Sequence, residues 1–199
     1  MLDEIELRIT YKCNWNCDYC AVDTHNKHRV SQSYIYQCID DMNSNSIVTI
    51  SGGEPGLCTR KYIKTIIDML LSKDCIIKLN TNGLFLEKFP DLLCHFDEIF
   101  YHCSSDLQPI PVKRYNHKNI HYLLIITDNN IHRLKEYVSI NNFKFLIVAS
   151  SNPGDINKEI PVLNKHNKKL LIKKYNKNMT TLSKSYWLKS KDESCIIYL

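Results

Sequence analysis

Residues 4–20 read EIELRITYKCNWNCDYC and join a strand pattern directly to a cluster of three cysteines. In Glu4–Thr10 the apolar residues Ile5, Leu7 and Ile9 alternate with charged neighbours, which predicts a β-strand. The polar loop that follows carries its cysteines at C-x3-C-x2-C spacing. Because ligand sites of α/β proteins lie beyond the carboxyl ends of the strands, this loop is the first candidate for a functional site.

Five further strand patterns follow, and helical patterns separate most of them. The strands are predicted at Ile47–Ile50, Cys75–Leu79, Glu98–Cys103, Tyr122–Ile126 and Phe143–Val148. The helices are predicted at about Ser31–Asn43, 59–72 and Ile131–Ser139, with a short helix that runs to about Leu93. Strands that alternate with helices are typical of βα units and a mostly parallel sheet.

The alternation ends near residue 150, which divides the chain into two parts. Residues 1–150 are predicted to form one α/β domain, and residues 151–199 a basic C-terminal extension that packs on it. Residues 158–199 contain ten lysines and three acidic residues, a net charge of +7, whereas residues 1–157 have a net charge of −2. The basic stretch lacks arginine and has little aromatic interleaving, which favours a solvated surface over a nucleic-acid contact.

The composition excludes several classes of protein. Of the 199 residues, 44% are hydrophobic and 24% charged, as in an ordinary globular domain. No run approaches the roughly 18 apolar residues of a membrane span, and residues 1–10 lack the pattern of a secretion signal. We therefore expect a cytoplasmic protein without a membrane partner. Nine cysteines in that compartment indicate metal or redox chemistry rather than disulfides.

Cys13, Cys17 and Cys20 are the candidate metal ligands. Thiolates at this sort of spacing hold iron–sulfur clusters, and a cluster with three cysteine ligands leaves one iron open. The alternative is a zinc site, which needs four ligands and would have to be completed by a distant residue such as His25 or His28. In that case the chain would be a non-catalytic, Cys-rich module that binds zinc or an iron–sulfur cluster.

The triplet, with Tyr19 before its last cysteine, resembles the motif of the radical S-adenosylmethionine (SAM) superfamily. Gly52-Gly53-Glu54-Pro55 after the second strand resembles the GGEP-type motif of that family, and Thr81-Asn82-Gly83 after the third is similar to its TNG element. Ser104 and Ser105 follow the fourth strand, where family members often place a serine that contacts ribose. All four elements fall at the C-terminal ends of successive strands, where α/β folds build their active sites.

The resemblance implies a partial (βα)6 barrel that holds a 4Fe–4S cluster and SAM. Cys13, Cys17 and Cys20 would each ligate one iron, and the open iron would bind the methionine part of SAM. Within the GGEP-type motif, Glu54 is implied to help position the methionine ammonium group. The complete set of implied SAM contacts is Tyr19, Gly52, Gly53, Glu54, Asn82 (to the sugar or the methionine part) and Ser104.

The implied activity is reductive cleavage of SAM to a 5′-deoxyadenosyl radical, which abstracts hydrogen from a substrate. A flavodoxin- or ferredoxin-type protein would supply the electron. Three substrate classes stay open: a nucleotide or nucleic acid, a peptide or metabolite, and a glycyl-radical enzyme partner. The segment Tyr122–Asn130 lacks the glycine-rich motif that many members carry on the fifth strand.

The other six cysteines are interpreted as lying outside the cluster. Cys195 stands alone in residues 104–199, so no second cluster is expected there. Cys103 is expected to pack within its strand, although only one of His102 and Cys103 can face the barrel interior because side chains alternate along a strand. The remaining four are interpreted as buried, inert thiols: Cys38, Cys58, Cys75 and Cys94.

Overall fold

The computed structural model describes residues 3–17, 20, 30–103, 115, 117–133, 146–149 and 195–198. Within these residues the strands are β1 (Glu4–Thr10), β2 (Ile47–Gly52), β3 (Ile76–Thr81), β4 (Glu98–His102), β5 (Ile120–Ile126), β6 (Leu146–Ala149) and β7 (Cys195–Tyr198). The α-helices are α1 (Gln32–Asp41), α2 (Arg60–Leu71) and α3 (Leu84–Lys88). Three 3₁₀ helices lie at Pro55–Leu57, Pro90–His95 and Ile131–Arg133.

The seven strands form one sheet in the order β6-β5-β4-β3-β2-β1-β7. Strands β1 to β6 pair in parallel with their sequence neighbours, whereas β7 pairs antiparallel with β1. In the part of the chain that the structure describes, the sheet stays open, with β6 at one edge and β7 at the other. The predicted α/β class with six parallel strands is therefore confirmed, and its open form is that of a partial barrel.

Most predicted elements lie within a few residues of the observed ones, with one clear difference after β3. The single short helix predicted up to Leu93 is instead α3 followed by a 3₁₀ helix that begins at Pro90. Proline has no backbone N–H and its ring clashes with the preceding turn, so α3 ends before it. The helix predicted at Ile131–Ser139 begins as a 3₁₀ turn at Ile131–Arg133, and its remainder lies outside the described residues.

One face of the sheet carries the apolar core. Side chains alternate between the two faces of a strand, and Leu7, Ile50 and Leu79 from three adjacent strands all point into the core with no exposed surface. Helix α2 covers them with a stripe of buried residues that includes Ile63 and Ile67. Ser31 and Thr59 cap the helices by accepting hydrogen bonds from Tyr34 and Tyr62 N–H, at 3.4 and 3.3 Å.

The alternate positions of the same strands form an opposite, polar face. Lys78 Nζ lies 2.8 Å from Glu98 Oε2 on the neighbouring strand, and His121 Nε2 lies 3.5 Å from Glu98 Oε1. The Ser51 hydroxyl donates a hydrogen bond to the Glu6 carboxylate. We call these residues the polar face: Glu6, Arg8, Thr49, Ser51, Lys78, Asn80, Glu98, Phe100, His102 and His121. A face with this composition cannot form a dry apolar core, and its members Glu6, Arg8 and Ser51 are nevertheless buried.

The C-terminal part of the chain is described only at β7. Its antiparallel register runs from Leu7 opposite Cys195 to Glu4 opposite Tyr198. Residues 151–194, which hold most of the basic extension, lie outside the described residues, so the division into two parts stays a prediction. None of the helices in the described part of the chain combines the length and the apolar character that a bilayer span requires.

The two faces of β3 offer a matched test of this arrangement. Ile77 is fully buried in the core, whereas the neighbouring Ile76 is 37% exposed. Removing a buried isoleucine side chain leaves a cavity, so Ile77→Ala is expected to lower the free energy of unfolding by about 2–5 kcal/mol. The control Ile76→Ala is expected to lower it by less than about 1 kcal/mol. Urea unfolding followed by circular dichroism measures both, and equal losses would contradict the assignment of faces.

Candidate active site

The three cysteines lie in the loop that leaves β1, which we call the cysteine loop (residues 11–20). Cys13, Cys17 and Cys20 are all partly exposed free thiols. The Cys20 N–H donates to the Cys17 carbonyl at 3.2 Å, which closes a turn between the last two cysteines. The Trp15 N–H donates to Cys13 Sγ at 3.4 Å. Tyr19, predicted to contact SAM, lies outside the described residues.

The environment of Cys13 opposes its ionisation in the metal-free chain. Burial raises the pKa of the Cys13 thiol above its ordinary value, and the charges of Glu54 and Cys20 raise it further. The Trp15 N–H acts in the opposite direction because it stabilises the thiolate. Since metals bind the thiolate, loading of this site must release protons.

Gly52 and Gly53 hold the cysteine loop against the end of β2. The Gly53 N–H donates to the Thr10 carbonyl at 2.6 Å, and the Glu54 N–H donates to the Lys12 carbonyl at 2.7 Å. A Cβ at Gly52 would lie 2.2 Å from the Thr10 oxygen, and one at Gly53 would lie 2.1 Å from the Lys12 oxygen. The close approach that requires these glycines is therefore that of the chain's own backbone.

Glu54 lies at the centre of the site and has no exposed surface. Its Oε1 accepts hydrogen bonds from the N–H groups of Gly56 and Phe85, at 2.8 and 3.2 Å, and from the Thr81 hydroxyl at 2.9 Å. Its Oε2 accepts from the Asn82 N–H at 2.7 Å. Burial raises the pKa of the Glu54 carboxyl even though these donors act to lower it. The carboxylate thus joins the end of β2 to the turn after β3.

Asn82 joins that turn back to the cysteine loop. Its Nδ2 donates to Asn14 Oδ1 at 2.7 Å and lies 3.8 Å from Cys13 Sγ, within hydrogen-bond reach of a sulfur acceptor. Its Oδ1 accepts from the Leu84 N–H at 3.3 Å. Gly83 follows with φ of +104°, a conformation that glycine adopts without strain.

The three motifs consequently form a closed circuit of contacts at the carboxyl end of the sheet. The cysteine loop bonds to Gly53 and Glu54, the Glu54 carboxylate bonds to the turn at 81–83, and that turn bonds to Cys13 and Asn14. Elements separated by up to 69 positions in sequence are brought to one place. The prediction that they share one edge of the sheet agrees with this geometry.

The cysteine loop suits an iron–sulfur cluster in its donor set. Its ligand atoms are three thiols on one short loop, and Cys13 Sγ already faces two N–H donors, as ligating sulfurs commonly do. Among the described side chains, no three Cys, His, Asp or Glu groups converge to hold a single ion. His25 and His28, which the zinc alternative invokes, lie outside the described residues.

The structure also resolves the orientation of His102 and Cys103. Cys103 is fully buried in the apolar core, and burial raises its thiol pKa strongly. His102 therefore points to the polar face, where it is half-buried. Burial lowers the pKa of its imidazole to about 4, so this ring is neutral at pH 7.

The remaining predicted residues are the two serines after β4 and the four cysteines interpreted as buried. Ser104 and Ser105 lie outside the described residues. Cys75 is buried as predicted, but Cys94 is exposed on the 3₁₀ helix Pro90–His95, where its thiol faces the Asp91 carbonyl at 3.4 Å. Cys38 and Cys58 are partly buried, and burial raises the pKa of Cys58 to about 11.

Sequence reasoning assigned no role to two residues that complete the circuit. Thr81 donates its hydroxyl to both oxygens of Glu54, at 2.9 and 3.0 Å. Asn14 accepts a hydrogen bond from Asn82 within the spacer of the cysteine triplet. A polar residue at the end of an apolar strand was the available signal for Thr81, but no pattern along the chain identifies its partner.

Comparisons with known proteins give a match in structure alone. No protein-family model matches the chain, and no curated protein does. The fold is similar to native anSMEcpe with bound AdoMet and Cp18Cys peptide, with a TM-score of 0.56 and 14% identity over 87% of this chain and 58% of that one. It is also similar to a hexahistidine-tagged anSMEcpe with bound AdoMet, with a TM-score of 0.50 and 13% identity over 88% and 60% of the two chains.

These similarities establish the fold. The chain spans about three-fifths of the length of the two solved structures. At 13–14% identity they show the fold alone, which is that of the anSMEcpe structures with bound AdoMet. The resemblance predicted from its motifs is thus confirmed at the level of the fold.

The buried carboxylate can be tested by truncation. Glu54→Ala removes the acceptor of four donors, and each buried donor left unsatisfied costs about 1–3 kcal/mol. We expect this variant to lose at least about 3 kcal/mol of unfolding free energy. The matched control is Glu87→Ala at an exposed position, with an expected change within about 0.5 kcal/mol. Denaturant titration at pH 7 compares them, and similar losses would contradict the central role of Glu54.

The sign of the Glu54 pKa shift gives a second test. A carboxyl whose pKa is raised by folding stabilises the folded chain most below its unfolded pKa of about 4.3, and that contribution is lost as the pH rises through the folded pKa. Because glutamine does not titrate, the stability of the wild type minus that of Glu54→Gln should fall between pH 4 and pH 7. Denaturant unfolding of both proteins at several pH values measures the two free energies of unfolding and hence this difference. A difference that grows with pH would mean that the four donors outweigh burial.

Proposed function

We propose that the chain is a radical SAM enzyme whose cysteine loop holds a 4Fe–4S cluster. The observation that carries this proposal is the closed circuit of contacts among the cysteine loop, Gly52-Gly53-Glu54 and Thr81-Asn82-Gly83. The similarity of the fold to AdoMet-bound structures supports the same conclusion independently.

The proposed ligands are Cys13, Cys17 and Cys20, one to each of three irons. When bound, such a cluster supplies one electron that cleaves SAM, and the resulting 5′-deoxyadenosyl radical abstracts hydrogen from a substrate. The chain's own part is to hold the loop rigidly, to orient SAM and to exclude water from the reacting carbon. The proposed SAM contacts are Tyr19, Gly52, Gly53, Glu54, Asn82 and Ser104.

The observed geometry sharpens what these contacts can be. Since both carboxylate oxygens of Glu54 face donors within the chain, its side chain acts on SAM by fixing the surrounding turns. The backbone of the turn at 52–54 is then the part that can meet the methionine group. Any direct contact between SAM and the Glu54 carboxylate would require the site to rearrange.

The substrate side of the proposed site is the polar face. Neutral His102 stands near the carboxyl end of β4, one strand from the turn at 81–83, whereas the ion pair of Lys78 and Glu98 lies toward the amino end of the strands. His102 can bind a hydrogen-bonding part of a substrate at this end of the face, which suits a nucleotide, a peptide or a polar metabolite. A glycyl-radical enzyme partner would have to insert a loop against the same face.

The proposed reaction needs a reductant and a reducing compartment. A flavodoxin- or ferredoxin-type protein is the proposed electron donor. The eight described cysteines outside β7 are all free thiols, as in proteins of a reducing compartment. We accordingly propose the cytoplasm as its location.

Anaerobic reconstitution tests the proposal. The purified chain, treated with iron and sulfide, should bind about four irons per molecule and release 5′-deoxyadenosine from SAM when dithionite is added. Cys17→Ala should lose cluster and cleavage together because it removes one ligand. Cys94→Ala changes an exposed cysteine outside the loop and should retain both. Tight zinc binding without SAM cleavage would overturn the proposed function, and cleavage by Cys17→Ala would overturn the ligand assignment.

A further inference from the structure

Hydrogen bonds hold Asn82 at both its side chain and its backbone. Its Oδ1 accepts the Leu84 N–H at 3.3 Å, and its backbone N–H is held by Glu54 Oε2 at 2.7 Å. Because the oxygen must face the Leu84 donor, the nitrogen must face the cysteine loop. The orientation of this amide is therefore determined by its hydrogen bonds.

Both hydrogens of the Asn82 amide nitrogen have acceptors within the chain. One points to Asn14 Oδ1 at 2.7 Å, and Cys13 Sγ at 3.8 Å accepts the other. An NH₂ group has two hydrogens and no more. In this arrangement no side-chain donor of Asn82 is left for SAM, so the proposed contact of Asn82 with SAM has to use the second lone pair of Oδ1.

We propose that Asn82 is a positioning residue that sets the reduction potential of the cluster through its N–H···S hydrogen bond to Cys13. This inference rests on the proposed function. Reduction adds one negative charge, which the cluster shares with its ligating sulfurs. A hydrogen-bond donor to such a sulfur stabilises the reduced form, and hydrogen bonds to sulfur are among the factors that set cluster potentials.

The link to Glu54 makes this donor a fixed one. The Asn82 backbone is anchored to a carboxylate with no exposed surface, and its side chain caps the start of α3. A donor held from two sides does not need to reorganise when the charge on sulfur changes. The Trp15 N–H, 3.4 Å from the same sulfur, is a second donor that side-chain substitution leaves in place.

The test is a redox titration of the reconstituted full-length chain, followed by electron paramagnetic resonance. Asn82→Ala removes the donor, so we expect the equilibrium constant for one-electron reduction to fall about tenfold, which is about 59 mV toward negative potential. Asn82→Asp keeps Oδ1 for Leu84 but replaces the donor with an oxygen, so we expect a larger fall. Iron content and SAM affinity are measured on the same samples.

Asn43→Ala is the matched control. Asn43 also donates a hydrogen bond from its side-chain amide, to Asp3 Oδ2 at 2.8 Å, but it lies after α1 at the amino end of the sheet. The reduction potential of the cluster in the Asn43→Ala variant should equal that in the wild type. If Asn82→Ala does not retain iron, Asn82→Leu, which is close to asparagine in size and carries neither a donor nor a charge, decides the question.

The outcomes separate this inference from the proposed function. If the wild type binds a cluster and cleaves SAM but the Asn82 variants that retain iron keep its potential, the inference is overturned and the function stands. Weaker SAM binding at an unchanged potential would assign Asn82 to SAM instead. If the wild type binds no cluster, the proposed function itself fails.

Discussion

The geometry of the site depends on one carboxylate, that of Glu54, buried where three turns meet. The carboxylate accepts hydrogen bonds from groups that follow Glu54 by two to thirty-one positions in the sequence. The backbone N–H of Glu54 donates to the Lys12 carbonyl and so holds the cysteine loop. Burying such a group without partners would be costly. Its four donors offset part of that cost and at the same time fix the turn that carries Asn82. Folding of the sheet and assembly of the site are thus coupled through one side chain.

The strands and the edge that carries the site could be predicted from the sequence because both rest on local signals. Alternation in Glu4–Thr10 gives a strand with the observed bounds, and motifs that follow strands must meet at one edge of a parallel sheet. Pro90 is a local signal for the end of α3, but the prediction of one short helix up to Leu93 did not use it.

Other features of the site could not be predicted from local sequence, because they depend on residues distant in the chain. Two consecutive glycines indicate a close approach, but nothing in them reveals that the carbonyls of Thr10 and Lys12 are what approaches. A glutamate beside a ligand motif suggests a ligand contact, yet the partners of this fully buried carboxylate lie in the turn after β3 and in α3. The orientation of His102 depends on which face of β4 the helices cover, which alternation alone does not specify.

The two faces of the sheet make different contributions, so substitutions on them have different effects. Leu79 and Ile99 stabilise the fold, whereas Lys78 and Glu98, their immediate neighbours in sequence, contribute an ion pair to the opposite side. Substitutions at the second kind of position can accumulate with little effect on folding, because they leave the core packing unchanged. Changes at alternate residues can thus alter what the sheet contacts without altering what holds it together, whereas changes in the core or in the circuit around Glu54 affect both.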